Sequence, residues 1–271
     1  MRRSRRPRLP RTLAPVTLTL ATVLCVTTVT IASAEEDNSA ALLAEVCDDF
    51  GTIEQGKYYL NNNVWGQDSG TGWQCVHDSP PAQEGTIAWG TNWEWSGEPT
   101  SVKSYVSSVL GWHWSSIDPD TGLPVQISSG TPVNTVWDYQ VSDNPGTMNV
   151  AYDLWLHAID NPGSTDDPTD EIMIWPYRSG GAGPIGETVA TVEIGGATWE
   201  LHEGNIGWDV YSFVRTENTE SVEFNLMDFL TYLAENRGLD ANKYLNSVQA
   251  GTEVFTGAGW LETSRYATDV G

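Results

Sequence analysis

Basic residues are scarce. Lys and Arg number 13 against 36 Asp and Glu, and six of the 13 are Arg within the first eleven residues. The rest of the chain therefore lacks the positive surface that nucleic acids and anionic membranes require. Cysteine is scarcer still, at three. His77, His113, His157 and His202 show no HxxxH or similar pairing, which leaves no transition-metal spacing. No G-x-S-x-G elbow occurs, which weakens a serine hydrolase reading. The glycine-rich SGGAGPIG (179–186) lacks both the P-loop lysine and the dinucleotide fingerprint and reads as a flexible loop.

One long apolar run is present, LAPVTLTLATVLCVTTVTI. It follows the basic MRRSRRPRLPR and precedes Ala32-Ser33-Ala34, an A-x-A site. Together they read as a secretory signal peptide over residues 1–34. A membrane anchor is the alternative, since the run is just long enough to cross a bilayer. Without residues 1–34, seven basic residues face 36 acids, a net charge of −29. A soluble exported protein acting on a neutral or cationic ligand fits that charge. Cys25 leaves with the signal, and Cys47 and Cys75 remain as an even pair. A disulfide between them would contribute about 3–4 kcal/mol in the chain-entropy model; two free thiols are the other reading.

Residues 35–46 form a polar leader. The remainder, 47–271, suffices for one domain with a full core. It holds short β-type runs separated by Gly, Pro, Asn and Asp, the pattern of an all-β sandwich or jelly roll. Gly195-Gly196 marks a hairpin. SVEFNLMDFLTYLAENRGL breaks the pattern, with Leu226, Phe229, Leu230 and Leu233 at helical spacing. Asn225 is placed to cap that helix and Gly238 to end it. The acidic loop DNPGSTDDPTD (160–170) lacks the oxygen-ligand spacing of an EF-hand and reads as solvated, with calcium as the alternative.

All 13 Trp lie beyond residue 34, more than a core requires, and an excess of indoles offers flat surface for ligands. In TDEIMIWPY, alternation puts Glu171, Met173 and Trp175 on one face and Ile172 and Ile174 on the other. A carboxylate, a thioether and an indole in a row read as the floor of a site, because an apolar run rarely buries an unpaired Glu. Asp153, Trp155 and His157 share a face of AYDLWLH. Trp93 and Trp95 share one, as do Trp112 and Trp114, and so do Gln249, Gly251 and Glu253. The expectation is a sheet face lined by Trp, Asp and Glu. Pyranose rings stack on indoles, and two carboxylates flanking a glycosidic bond can cleave it.

NNNVWG (61–66), NVAYDLWL (149–156), DEIMIW (170–175), GPIG (183–186) and SVQAGTE (247–253) occur in the order found in glycoside hydrolase family 12. From Cys47 onward the chain resembles that family of secreted endo-β-1,4-glucanases. The resemblance implies a concanavalin-like β-jelly-roll sandwich with one amphipathic helix on the convex side. It implies a retaining mechanism with Glu171 as nucleophile, Glu253 as general acid/base and Asp153 tuning the nucleophile. Asn63, Trp65, Met173, Trp175 and Asn205 would bind sugars, and Cys47–Cys75 matches a disulfide of bacterial members. No metal or organic cofactor is implied. The partner is a β-glucan, namely amorphous cellulose, mixed-linkage glucan or xyloglucan, acted on by a secreted monomer. Many bacterial members carry GFEPW where this chain has GTEVF (251–255), which moves the expectation toward xyloglucan-active relatives. A xylanase of the related jelly-roll family and a non-catalytic lectin-like module are the competing readings; EIMIW argues against the first.

Overall fold

A computed structural model describes residues 43–271, Ser116 apart. The expected signal peptide and most of the polar leader lie outside the described residues. In chain order the strands are β1 (Glu45–Val46), β2 (Thr52–Gln55), β3 (Tyr58–Asn63), β4 (Gly70–Ser79), β5 (Ile87–Gly97), β6 (Ser104–Gly111), β7 (Val125–Gln126) and β8 (Val133–Val141). They continue as β9 (Thr147–His157), β10 (Asp170–Ser179), β11 (Glu187–Ile194), β12 (Ala197–Asn205), β13 (Asp209–Arg215), β14 (Ser221–Asn225) and β15 (Tyr244–Val270). The helix α1 spans Met227–Asn236.

Two sheets pack face to face. One has the order β1-β4-β5-β15-β8-β14, the other β2-β3-β6-β15-β9-β10-β13-β12-β11. All neighbours are antiparallel except β10 and β13. Strand β15 belongs to both sheets. Its first half pairs with β6 and β9, its second with β5 and β8. The crossing falls at Gly257, φ 118°, where an added Cβ would sit 2.5 Å from the Cα of Gly146. Only side-chain-free residues let the two backbones approach this closely.

The core lies between the sheets. Tyr152, Leu154, Leu156, Ile172 and Ile174 reach it from one side, and Trp89, Trp93, Trp95 and Trp137 from the other. The face alternation expected for β9 and β10 therefore holds. Trp93 and Trp95 are a correction: they share a face, but it is the inner face of the first sheet, and they are core residues rather than ligand surface. Alternation shows which residues are coplanar, not which sheet face they join.

Leu226, Phe229, Leu230 and Leu233 are all fully buried. The helix packs on the second sheet from the core side, with the Phe229 ring 5.2 Å from Trp199 and 5.0 Å from Phe213. Asn225 Oδ1 accepts the Met227 N–H, and Gly238 takes φ 80° after the last turn. The SVEFN that precedes it is a strand, β14, paired with β8. Gly195 and Gly196, φ 59° and 75°, make the β11–β12 turn. Cys47 and Cys75 are joined by a disulfide that ties the N-terminal segment to β4. No helix among the described residues is long and apolar enough to cross a membrane.

Candidate active site

The face of the second sheet turned away from the core floors a cleft of about 910 Å³. Neighbouring strands β15, β9 and β10 supply its acids. Asp153 on β9 stands opposite Met173 on β10 and Gln249 on β15, and Glu171 stands opposite Trp155. With period-two alternation, all of these point into the cleft. Glu253 projects from β15 beside Tyr105 of β6. Asp153, Glu171 and Glu253, expected together from three separated motifs, all line this one space.

Their surroundings differ. Glu171 is 8% exposed. Burial raises its carboxyl to about 7, against hydrogen bonds from Trp208 and Asp153 that favour the anion. Trp208 Nε1 donates to Glu171 Oε2 at 2.8 Å. Asp153 sits well above the usual carboxylate range, first through burial and then through the charges of Glu171 and Glu253. Two carboxyls can hydrogen-bond only if one holds a proton. Burial raises both, but the charges of Glu171 and Glu253 and the shared hydrogen bond raise Asp153 further while that bond lowers Glu171, so Asp153 keeps the proton and donates to Glu171. Asp153 Oδ1 has no N–H partner among the described residues.

Glu253 is raised further, to about 8, by burial and by the charge of Glu171. Its one side-chain hydrogen bond comes from Asn149 Nδ2. Asn149 Oδ1 in turn accepts the Glu253 backbone N–H at 2.9 Å, so both ends of one amide fix the residue. On losing protons in order, the cleft forms an anion at Glu171 while Glu253 remains an acid.

Indoles run along one side of the cleft. The Trp208 ring meets Trp155 at 5.5 Å, Trp155 meets Trp114 at 5.4 Å, and Trp114 lies 4.7 Å from the enclosed Trp112. The expectation that Trp112 and Trp114 share a strand face needs correcting, because β6 ends at Gly111. Trp114 takes φ 49°, a conformation rare for a bulky side chain, and it lines the cleft above Trp112. His113 is wedged between Asn61 and Gln249, and burial lowers it to about 4, so it stays neutral.

Asn63, Trp65, Met173 and Trp175 also line the cleft. Asn63 Oδ1 accepts the Trp65 N–H at 3.0 Å, a turn that leaves the indole 60% exposed at the rim. Asn205 differs from expectation and is not part of the lining. Its Nδ2 donates to Asp209 and its Oδ1 accepts the Gly207 N–H. Asn205 instead buckles the loop that delivers Trp208 to Glu171. Trp208, Asn149 and His113 contact cleft residues with no separate sequence signal. Each acts through a partner far away in the chain.

Among the described residues the one cluster of three possible metal ligands is Glu45, Cys47 and Cys75, and both sulfurs there are bonded to each other. In the acidic loop, Asp166 accepts the Gly163 N–H.

The chain resembles proteins of known activity. The chain is 37% identical to Endoglucanase S of Pectobacterium parmentieri over 257 residues, 91% of each chain. It is 41% identical to a xyloglucan-specific endo-beta-1,4-glucanase A of Emericella nidulans over 234 residues, 84% of this chain and 91% of the relative. The structure of a family 12 xyloglucanase from Bacillus licheniformis superposes with TM-score 0.77 at 38% identity, covering 84% of this chain and all of the other. The family model for glycosyl hydrolase family 12 matches residues 56–271, so the chain is a glycoside hydrolase and belongs to that family.

Proposed function

We propose that the protein is a secreted, monomeric endo-β-1,4-glucanase that cleaves internal linkages with retention of anomeric configuration. Glu171 is the nucleophile and Glu253 the general acid/base. The observation that carries this assignment is the unequal environment of the two glutamates. Glu171 receives hydrogen bonds from Trp208 and Asp153 that favour its anion, whereas Glu253 is held in its acid form by burial and by the charge on Glu171.

In the first step the Glu171 carboxylate attacks the anomeric carbon. The glycosidic C–O bond breaks and its oxygen takes the proton of Glu253. The resulting ester at Glu171 carries no charge. One of the two causes that raise Glu253 is then gone, and its carboxylate becomes a base suited to a water molecule. In the second step that water gives a proton to Glu253 and attacks the anomeric carbon, whose bond to the Glu171 oxygen breaks, which releases the sugar and restores both groups. Asp153 stays protonated in the free enzyme and positions Glu171.

The indole ribbon of Trp208, Trp155 and Trp114 supplies stacking surface for pyranose rings, and Asn63, Trp65 and Gln249 lie where further sugars would rest. Xyloglucan is the preferred substrate on this reading. GTEVF and the xyloglucan activity named for relatives at 41% and 38% identity support it. Reducing-sugar release from xyloglucan, mixed-linkage glucan and carboxymethyl-cellulose tests the proposal. Glu171→Gln and Glu253→Gln should each lose hydrolysis of every polymer while still binding it. Unchanged turnover in both would remove these residues from the mechanism.

A further inference from the structure

The outer face of the first sheet, on the far side of the core from the cleft, carries aromatic residues that the cleft does not use. On β4 that face presents Trp73, Cys75 and His77. On β5 it presents Glu94, Asn92 and Gly90, and on β15 Ala258, Trp260 and Glu262, aligned row by row. Trp73 is 48% exposed and Trp260 39%. Both sit mid-strand, where a solvent-facing position favours a polar residue. The two indoles lie two strands apart, about 10 Å, and one row apart along the strands. The line through them continues to Gln140 of β8, opposite Glu262. There it meets a groove of about 610 Å³ lined in part by Asp138, Glu220 and Ser264. The whole diagonal extends on the order of 20 Å across four strands.

The composition of this track identifies its occupant. An apolar protein patch would be contiguous, whereas these indoles are separated by Asn92 and Glu94, and Glu262 follows one row beyond Trp260. The acids, together with the net charge of −29 beyond residue 34, exclude a polyanion. A ligand that alternates apolar ring faces with hydroxyl rims matches both features. The cleft of this same chain combines the same residue types. His77 Nε2 lies 3.1 Å from Glu262 Oε1. The pair closes over Gly90, where any Cβ would sit 2.4 Å from Glu262 Oε2 and 2.5 Å from His77 Nε2. It borders the track on one side, one row beyond Trp260.

We infer that Trp73, Trp260 and the adjoining groove form a second, non-catalytic binding site for a neutral β-1,4-glucan chain, holding polymer on the back of the molecule while the cleft works on another segment. The inference rests on reading the cleft as a β-glucan site.

The test uses protein whose cleft is occupied by a glucan oligosaccharide held covalently on Glu171, with the excess removed, in native gels containing soluble xyloglucan. Polymer should still retard migration. Trp73→Ala/Trp260→Ala in that background should weaken the remaining affinity by about threefold to tenfold. The same pair in the active protein should leave turnover of a short oligosaccharide unchanged and lower the turnover of polymer. Thermal unfolding checks the fold, and Trp73→Phe/Trp260→Phe should recover part of the retardation. Equal retardation with and without the indoles would overturn the inference. So would a concentration-dependent dimer abolished by the Ala pair, which would assign the face to a second copy of the chain. Hydrolysis surviving in Glu171→Gln would instead overturn the reading of the cleft.

Discussion

Replacing Glu253 with Gln should stabilise the protein, and only at high pH. Burial and the charge of Glu171 lift the Glu253 carboxyl from 4.5 to about 8. Below pH 4.5 folded and unfolded chains both hold this proton, and the position contributes no pH dependence. Between 4.5 and about 8 the unfolded chain has lost the proton while the folded chain keeps it, so stability falls as pH rises. Above about 8 both are ionised and the penalty is at its full size. The whole rise corresponds to roughly 4–5 kcal/mol at 1.36 kcal/mol per pKa unit. Glu253 is only half-buried by exposed area, and water in the cleft screens part of this, which leaves about 2 kcal/mol. Gln carries no charge and still offers an oxygen to Asn149 Nδ2. For a domain of this size 2 kcal/mol is a rise in Tm of roughly 4–8 °C. Thermal denaturation of native and variant proteins from pH 4 to pH 9 should give matching Tm values near pH 4.5, with the variant pulling ahead through neutrality. A constant difference across that range, or one that grows toward low pH, would refute the reasoning, because it would place Glu253 at an ordinary carboxyl value.

Trp208→Phe removes the N–H that favours the Glu171 anion. The acid limb of the kcat/KM profile should move to higher pH, and kcat should fall by about tenfold or more. Asn149→Ala removes the hydrogen bond that lowers Glu253. It should shift the alkaline limb upward and reduce kcat, so the two variants move opposite sides of one bell-shaped profile. Cys47→Ser with Cys75→Ser opens a loop with a sequence separation of 28. It should cost about 3–4 kcal/mol in urea unfolding while leaving kcat at 25 °C near that of the native protein. Phe229→Ala should cost about 3–5 kcal/mol, because its ring is fully enclosed between the helix and Trp199, Phe213 and Phe224.

The catalytic face was legible wherever a strand spoke for itself. In DEIMIW the period of two separates Ile172 and Ile174, which are core, from Glu171, Met173 and Trp175, which line the cleft. The same rule could not show which surface Trp93 and Trp95 join, since that depends on how the two sheets stack. Nor could it show that the run around SVQAGTEVF continues to Val270, because β15 changes sheets at Gly257 and pairs with different neighbours on either side. Strand β14 was hidden by the helix pattern that follows it. Trp208 was invisible as a functional residue because its contact with Glu171 is made by a loop, whose shape depends on the Asn205–Asp209 hydrogen bond. Asn149 sits inside a recognisable motif, but its grip on Glu253 joins residues 104 apart in the chain.

The most direct test of the central claim is to trap the covalent sugar. A glucan oligosaccharide bearing fluorine at C2 and a good leaving group at C1 forms the ester quickly and hydrolyses it slowly. Proteolysis and mass spectrometry then locate the added mass. The account predicts one sugar per chain, on the carboxyl of Glu171 in the peptide containing DEIMIW. Label on Glu253, or no label together with inverted product configuration, would contradict it.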